Sequence, residues 1–147
     1  MNNEFNEKNY SSKMDKSIQS LKKDISTNVI GSINVLDSAR AAGNCKIINL
    51  QTALCYGKPE EVPIPITHAL SPSSSYGISK TAGESYFLES GLSVISLRLA
   101  NICAPRLSIG PIPTFYERFK QRKQCFYTDT LRDFLDFSDF LSLLDII

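Results

Sequence analysis

Histidine is nearly absent. The chain has only His68, and its four cysteines, at 45, 55, 103 and 125, show no C-x-x-C spacing. A Ser-His-Asp triad or a zinc site needs more histidine or closer cysteines than this, so no metal is expected. Widely spaced cysteines read as free thiols in a reducing compartment, not as a disulfide framework. No apolar run reaches the ~18 residues of a membrane span. Met1 to Lys16 lacks the apolar centre of a secretory signal. Charge of one sign is lacking too: 16 basic against 15 acidic residues give a net charge of +1. That balance offers nothing special to nucleic acid or to an anionic membrane. The expectation is a cytoplasmic protein.

The 147 residues, 42% hydrophobic, allow one core and little more. Residues 1–15 are rich in Asn, Lys, Glu and Ser and read as a disordered lead-in. From Lys16 to about Ala42 apolar residues recur at helical spacing, at Ile18, Leu21, Ile25, Val29, Ile33 and Leu36, and Gly43 supplies a stop. Inside that helix Thr27-Asn28 is either a solvated face or a pair of hydrogen-bonding groups facing a cleft. Lys46 to Leu50 reads as a short buried strand that runs into Gln51-Thr52, so Thr52 stands at its carboxyl end. In open α/β sheets, ligands bind at that edge. Pro59, Pro63, Pro65 and Pro72 mark an irregular loop.

The central stretch is Ser74-Ser75-Tyr76-Gly77-Ile78-Ser79-Lys80. Ser73 or Ser74 can cap a helix running to about Glu89, with Gly83 allowing close approach of another backbone, Phe87 on the buried stripe and Gly91 at the exit. Tyr76 and Lys80, four residues apart, share one face of that helix. An unassisted phenol is a poor base, with a reference pKa near ~10, and a nearby ammonium favours the phenolate. Such a pair can take a proton from a sugar hydroxyl; on arbitrary sequence it is more often an ordinary surface pair. Leu92 to Leu99 reads as a second buried strand. Pro111 and Pro113 keep the next segment irregular. Thr114 to Lys120 reads as a short helix with a basic, solvated face. Leu131 to Phe137 alternates like a short strand, and Ser138 to Ile147 begins another helix.

Taken in order, five segments resemble the extended short-chain dehydrogenase/reductase superfamily, in its NAD-dependent nucleotide-sugar epimerase/dehydratase branch. They are Thr27-Asn28-Val29-Ile30-Gly31-Ser32, Thr52-Ala53-Leu54-Cys55-Tyr56-Gly57, Tyr76-Gly77-Ile78-Ser79-Lys80, Leu97-Arg98-Leu99-Ala100-Asn101 with Pro105-Arg106, and Arg132-Asp133-Phe134. The resemblance implies an α/β fold, the second half of a Rossmann-type doubly wound parallel sheet over residues 16–104. Residues 105–147 would begin a substrate-binding region. It implies a catalytic trio of Thr52, Tyr76 and Lys80, and a cofactor NAD lined by Thr27, Asn28, Tyr76, Lys80 and Ala100. It implies a nucleotide-sugar substrate met by Thr52, Asn101 and Arg132, the last through a guanidinium that matches phosphate oxygens. The implied activity is that of a UDP-glucose 4-epimerase. The alternatives are a 4-ketoreductase or sugar dehydratase, and a non-catalytic remnant or interaction module of the same fold. Dehydratases of this family carry an Asp-Glu pair after the catalytic Thr; Ala53 and Leu54 stand there and move no proton. Relatives often pair through the two helices bearing the Thr27 and Tyr76 motifs, so a homodimer is expected. The family's G-x-x-G-x-x-G turn, which meets the cofactor pyrophosphate at a helix N-terminus, is not in this sequence. The chain thus reads as an internal piece of an epimerase-like protein, with weak or no NAD binding by itself.

Overall fold

A computed structural model describes residues 19–43, 45–125 and 132–147. These divide into two compact units, one up to Arg98 and one from Leu99 onward. In the first unit, helix α1 (residues 19–25) passes through one π turn, Ser26–Ile30, into α2, Gly31–Ala42. The turn is closed by the Gly31 amide donating to the Ser26 carbonyl, five residues back. Such single π turns within a helix are frequent at functional sites. Helix α2 ends at Gly43, whose φ of 85° only glycine adopts without strain. The apolar stripe read from the sequence is only partly buried. Leu36 is in the core, Val29 and Ile33 are half-buried, Leu21 and Ile25 are exposed, and Ile18 lies outside the described residues.

Strand β1 spans Lys46–Thr52, two residues longer than its apolar run. A 3₁₀ turn, Ala53–Tyr56, follows at once, capped by Thr52, whose Oγ1 accepts from the Leu54 amide at 3.3 Å. The proline loop then folds back, the Ser71 amide donating to the Cys55 carbonyl at 3.0 Å. Helix α3 covers Ser75–Leu88, capped by Ser74 Oγ accepting from the Gly77 amide at 3.1 Å. It ends three residues before Gly91. Strand β2, Ser93–Leu99, then pairs with β1, so the two strands are joined through α3. Both strands were expected to be buried; neither is. Ile48 and Leu50 are 37% and 46% exposed, and most of β2 is half-buried. A two-stranded ladder with α3 packed on it leaves much strand surface uncovered, which a longer sheet with helices on both faces would bury.

Helix α3 lies against α2 and the π turn with almost no spacing at Gly83. A β-carbon there would sit 2.4 Å from the Asn28 carbonyl oxygen. Among the described residues the core of this unit is Leu36, Ala39, Cys55, Tyr56 and Phe87, with the buried polar residues Gln51, Ser79 and Glu84.

In the second unit, β3 (Asn101–Cys103) and β4 (Phe134–Asp136) pair in parallel, Asn101 beside Phe134 and Cys103 beside Asp136. Helix α4 covers Pro111–Lys120. The prolines therefore begin a helix instead of keeping the segment irregular. A first-turn residue has no intrahelical acceptor for its N–H, so proline costs nothing there, and its fixed φ suits the helix. Helix α5, Phe137–Ile146, is capped by Asp136, which accepts from the Ser138 amide at 2.8 Å. Among the described residues no helix is long and apolar enough to cross a membrane, and no group of three or more metal-ligating side chains occurs. All four cysteines are free thiols.

Candidate active site

Thr52 is the last residue of β1, and Tyr76 and Lys80 occupy the first two turns of α3. Lys80 Nζ donates to the carbonyl of Leu50, two residues before Thr52, at 2.5 Å. Burial holds the Lys80 ammonium below the ordinary lysine range, opposed in part by the nearby Glu84 carboxylate. The start of α3 sits close on the 3₁₀ turn: a β-carbon at Gly77 would be 3.2 Å from the Leu54 carbonyl oxygen. A larger residue at 77 would push the Tyr76 turn away from the segment that follows Thr52. Tyr76 is 45% exposed. The Thr52 hydroxyl accepts from Leu54, and its own proton remains available for donation.

Asn28 lies in the π turn and its Nδ2 donates to Ser79 Oγ at 2.9 Å, which ties the first helix to α3 between Tyr76 and Lys80. Of the two alternatives for this pair, Asn28 makes a specific bond whereas Thr27 is exposed. A second tie runs from Ser75 Oγ to Asp24 Oδ2 at 2.6 Å. Ala100, Asn101 and Arg132 belong to the second unit. There the Asn101 backbone and side-chain nitrogens both donate to the Asp133 carbonyl, at 3.2 and 2.9 Å. Pairing of β3 with β4 thus brings Asn101 beside the Arg132-Asp133 step. Arg132 is exposed, and residues 126–131 before it lie outside the described residues.

Two shallow surface recesses lie away from the trio. One, of about 490 Å³, is in the proline loop beside Glu60, Thr67 and His68; the other, of about 290 Å³, is between Cys103 and Tyr116. Neither is an enclosed cavity, and neither is lined by Thr52, Tyr76 or Lys80.

Sequence reasoning missed the buried polar cluster behind that edge. Gln51, Ser96 and Arg98 each donate to the Glu84 carboxylate, and Arg98 also donates to the Tyr56 hydroxyl at 3.1 Å while lying 5.2 Å from its ring centre. Two signals were available: Glu84 continues the four-residue spacing of Tyr76 and Lys80, and Arg98 interrupts an apolar strand.

Residues 9–147 match the family model described as the NAD dependent epimerase/dehydratase family. The structure superposes on the Bordetella bronchiseptica enzyme WbmG, solved in complex with NAD and UDP, with a TM-score of 0.82 and 57% identity, over 86% of this chain and 41% of that one. It also superposes on UDP-glucose 4-epimerase from Thermotoga maritima, solved with UDP-glucose, with a TM-score of 0.75 and 30% identity, over 88% of this chain and 47% of that one. Among curated proteins, UDP-glucose 4-epimerase of Corynebacterium glutamicum is 33% identical over 87 residues, 56% of this chain and 26% of that protein. The chain spans less than half the length of each of these three relatives.

Proposed function

Because the chain belongs to the NAD-dependent epimerase/dehydratase family, we propose that it carries the proton-transfer residues of a nucleotide-sugar epimerase of the UDP-glucose 4-epimerase type. The observation that carries this reading is the seating of Lys80 on the Leu50 carbonyl, with Tyr76 one turn earlier and Thr52 two residues further along the strand. Tyr76 takes the proton from the reacting sugar hydroxyl and later returns it. Lys80 supplies a positive charge that attracts the developing phenolate. Thr52 bonds the same hydroxyl, because a threonine oxygen donates and accepts at once. NAD, if bound, would supply reversible hydride transfer there. Tyr76, Lys80, Asn28 and Thr27, all in the first unit, would hold its nicotinamide end. The half-exposed Tyr76 and the ammonium at the strand edge fit that end. The pyrophosphate end finds no Gly-rich turn in these 147 residues. Asn101 and Arg132 would meet the nucleotide sugar.

An elimination would need further proton-moving groups after Thr52. Ala53 and Leu54 supply none, which favours epimerase or ketoreductase chemistry over dehydration. A homodimer through the helices of residues 19–42 and Ser75–Leu88 would cover Ile25, Ile78 and Tyr86, all exposed; a monomer in light scattering would refute that pairing.

The test of function joins a relative's Gly-rich nucleotide-binding half ahead of the chain, supplies its remaining substrate region, and follows interconversion of UDP-glucose and UDP-galactose. Tyr76→Phe is expected to lower turnover by ~10²–10⁴, the range of a positioned acid–base group. Unchanged turnover would remove Tyr76 from the mechanism. For the chain alone, calorimetric titration is expected to show NAD binding weaker than micromolar.

A further inference from the structure

Behind Thr52 runs a continuous line of hydrogen bonds that begins on α3. Glu84 is 2% exposed and lies one turn past Lys80, as Lys80 lies one turn past Tyr76, so the three share a stripe of the helix. Its Oε1 accepts from Ser96 Oγ at 2.6 Å and Arg98 Nε at 3.1 Å. Its Oε2 accepts from Arg98 Nη2 and from Gln51 Nε2, each at 3.3 Å. Gln51 is 3% exposed and uses its other end as well, Oε1 accepting from the Thr52 amide at 2.8 Å.

A buried amide is costly unless its groups are bonded, and an apolar residue at 51 would pack the strand more cheaply. What a carboxamide adds is the ability to donate to a carboxylate at one end and accept from an N–H at the other. We propose that Gln51 and Glu84 are positioning residues for Thr52. Glu84 fixes the Gln51 carboxamide, and the carboxamide fixes the Thr52 amide at the point where the strand turns into the 3₁₀ segment. With its backbone set, a β-branched threonine has few rotamers left, so the hydroxyl direction follows. One carboxylate thereby orients the helix stripe of Tyr76 and Lys80 and the strand end of Thr52 to each other. The proposal rests on the reading of Thr52, Tyr76 and Lys80 as the reacting group.

The test is amide hydrogen exchange of the 147-residue chain, read residue by residue by NMR. Gln51→Met keeps the volume and removes both bonds. The Thr52 amide is expected to exchange about tenfold faster, the order of one lost hydrogen bond, while Ile48 and Asn49 in the same strand stay within about twofold. The swap Gln51→Glu with Glu84→Gln restores a donor–acceptor pair between the two positions and an acceptor for Thr52. It is expected to return the Thr52 rate to within about threefold of the original. If Gln51→Met does not fold, Gln51→Asn, one carbon shorter and unable to span both partners, gives the same contrast. An unchanged Thr52 rate, or equal acceleration along all of β1, overturns the proposal; the second result would mean the network only holds the strand. Turnover that survives Tyr76→Phe would end the catalytic reading and leave the Thr52 exchange result intact, so the two failures are distinguishable.

Discussion

Gly83→Ala is expected to destabilise the chain, although alanine in place of a helix-interior glycine ordinarily stabilises by ~1 kcal/mol. The new β-carbon would lie 2.4 Å from the Asn28 carbonyl oxygen and 2.9 Å from Ser32 Oγ. Ordinary contact begins near 3.4 Å, so the two helices must part by about 1 Å. Neither obstacle gives way easily. The carbonyl is main chain within the π turn, and it already accepts from Ser32 Oγ at 2.7 Å. Parting also stretches the Asn28–Ser79 bond of 2.9 Å. Overpacking of this kind costs ~1–3 kcal/mol; a main-chain obstacle at 2.4 Å puts it at the upper end, ~2–3 kcal/mol, and subtracting the ~1 kcal/mol of propensity leaves a net loss of ~1–2 kcal/mol. At roughly 3 °C per kcal/mol for a chain of this size, the melting temperature should fall by ~3–6 °C. Gly31→Ala is the control. Its β-carbon would have only the Ser26 carbonyl oxygen near, at 3.9 Å, so the propensity gain should appear as a rise of ~2–3 °C. Thermal melts followed by circular dichroism measure both. A Gly83→Ala protein melting at or above wild type would refute the close helix approach.

Arg98→Met should cost ~3–5 kcal/mol in denaturant unfolding, because it leaves the Glu84 carboxylate buried without its cation; adding Glu84→Gln should recover most of that loss, and failure to recover would locate the cost elsewhere. Acid should unfold the protein partly through Glu84. Burial pushes its carboxyl up, but bonds from Ser96, Arg98 and Gln51 together outweigh burial and hold it below the ordinary range. Its contribution is therefore complete above the unfolded value near ~4.3 and is lost as pH falls through the lower folded value, so Glu84→Gln should flatten the acid limb of stability against pH; an unchanged limb would contradict this. Lys80 has the opposite sign. Its depressed folded value makes the charged form costly below that value, and the cost is relieved as pH rises toward the unfolded value near ~10.4. The gap in melting temperature between Lys80→Met and wild type should shift in favour of wild type as pH rises, and a shift the other way would show that burial does not govern this lysine.

What the sequence revealed were features whose cause is local. The Ser74 cap and the four-residue spacing of Tyr76 and Lys80 each act within a turn or two, and each reappears in α3. The end of β1 was legible to within two residues, because the apolar run stops at Leu50 and the strand at Thr52. Proline misled at 111 and 113, since the same residue breaks a helix interior and begins a helix. Strand burial was misjudged because a run such as Lys46 to Leu50 states what a strand prefers, not how many neighbours cover it. The Glu84–Gln51–Arg98 cluster stayed hidden for a non-local reason. Its members are 33 and 14 residues apart, and a glutamate on a helix looks solvated until the helix is docked.

That cluster also bears on why the first unit has a definite shape. Among the described residues its buried apolar set is Leu36, Ala39, Cys55, Tyr56 and Phe87, too few to fix how α3 is rotated on the β1–β2 ladder. Apolar contacts tolerate a small rotation; a carboxylate with four donors at 2.6–3.3 Å does not. A buried ion pair adds little net stability over apolar residues of equal size, since desolvation offsets most of the attraction, but a misaligned one leaves a bare charge inside. Rotating α3 enough to swing Tyr76 from the strand edge would also pull Glu84 off Gln51, Ser96 and Arg98. The energetic barrier to displacing Tyr76 therefore resides two turns away from it, in the buried carboxylate of Glu84.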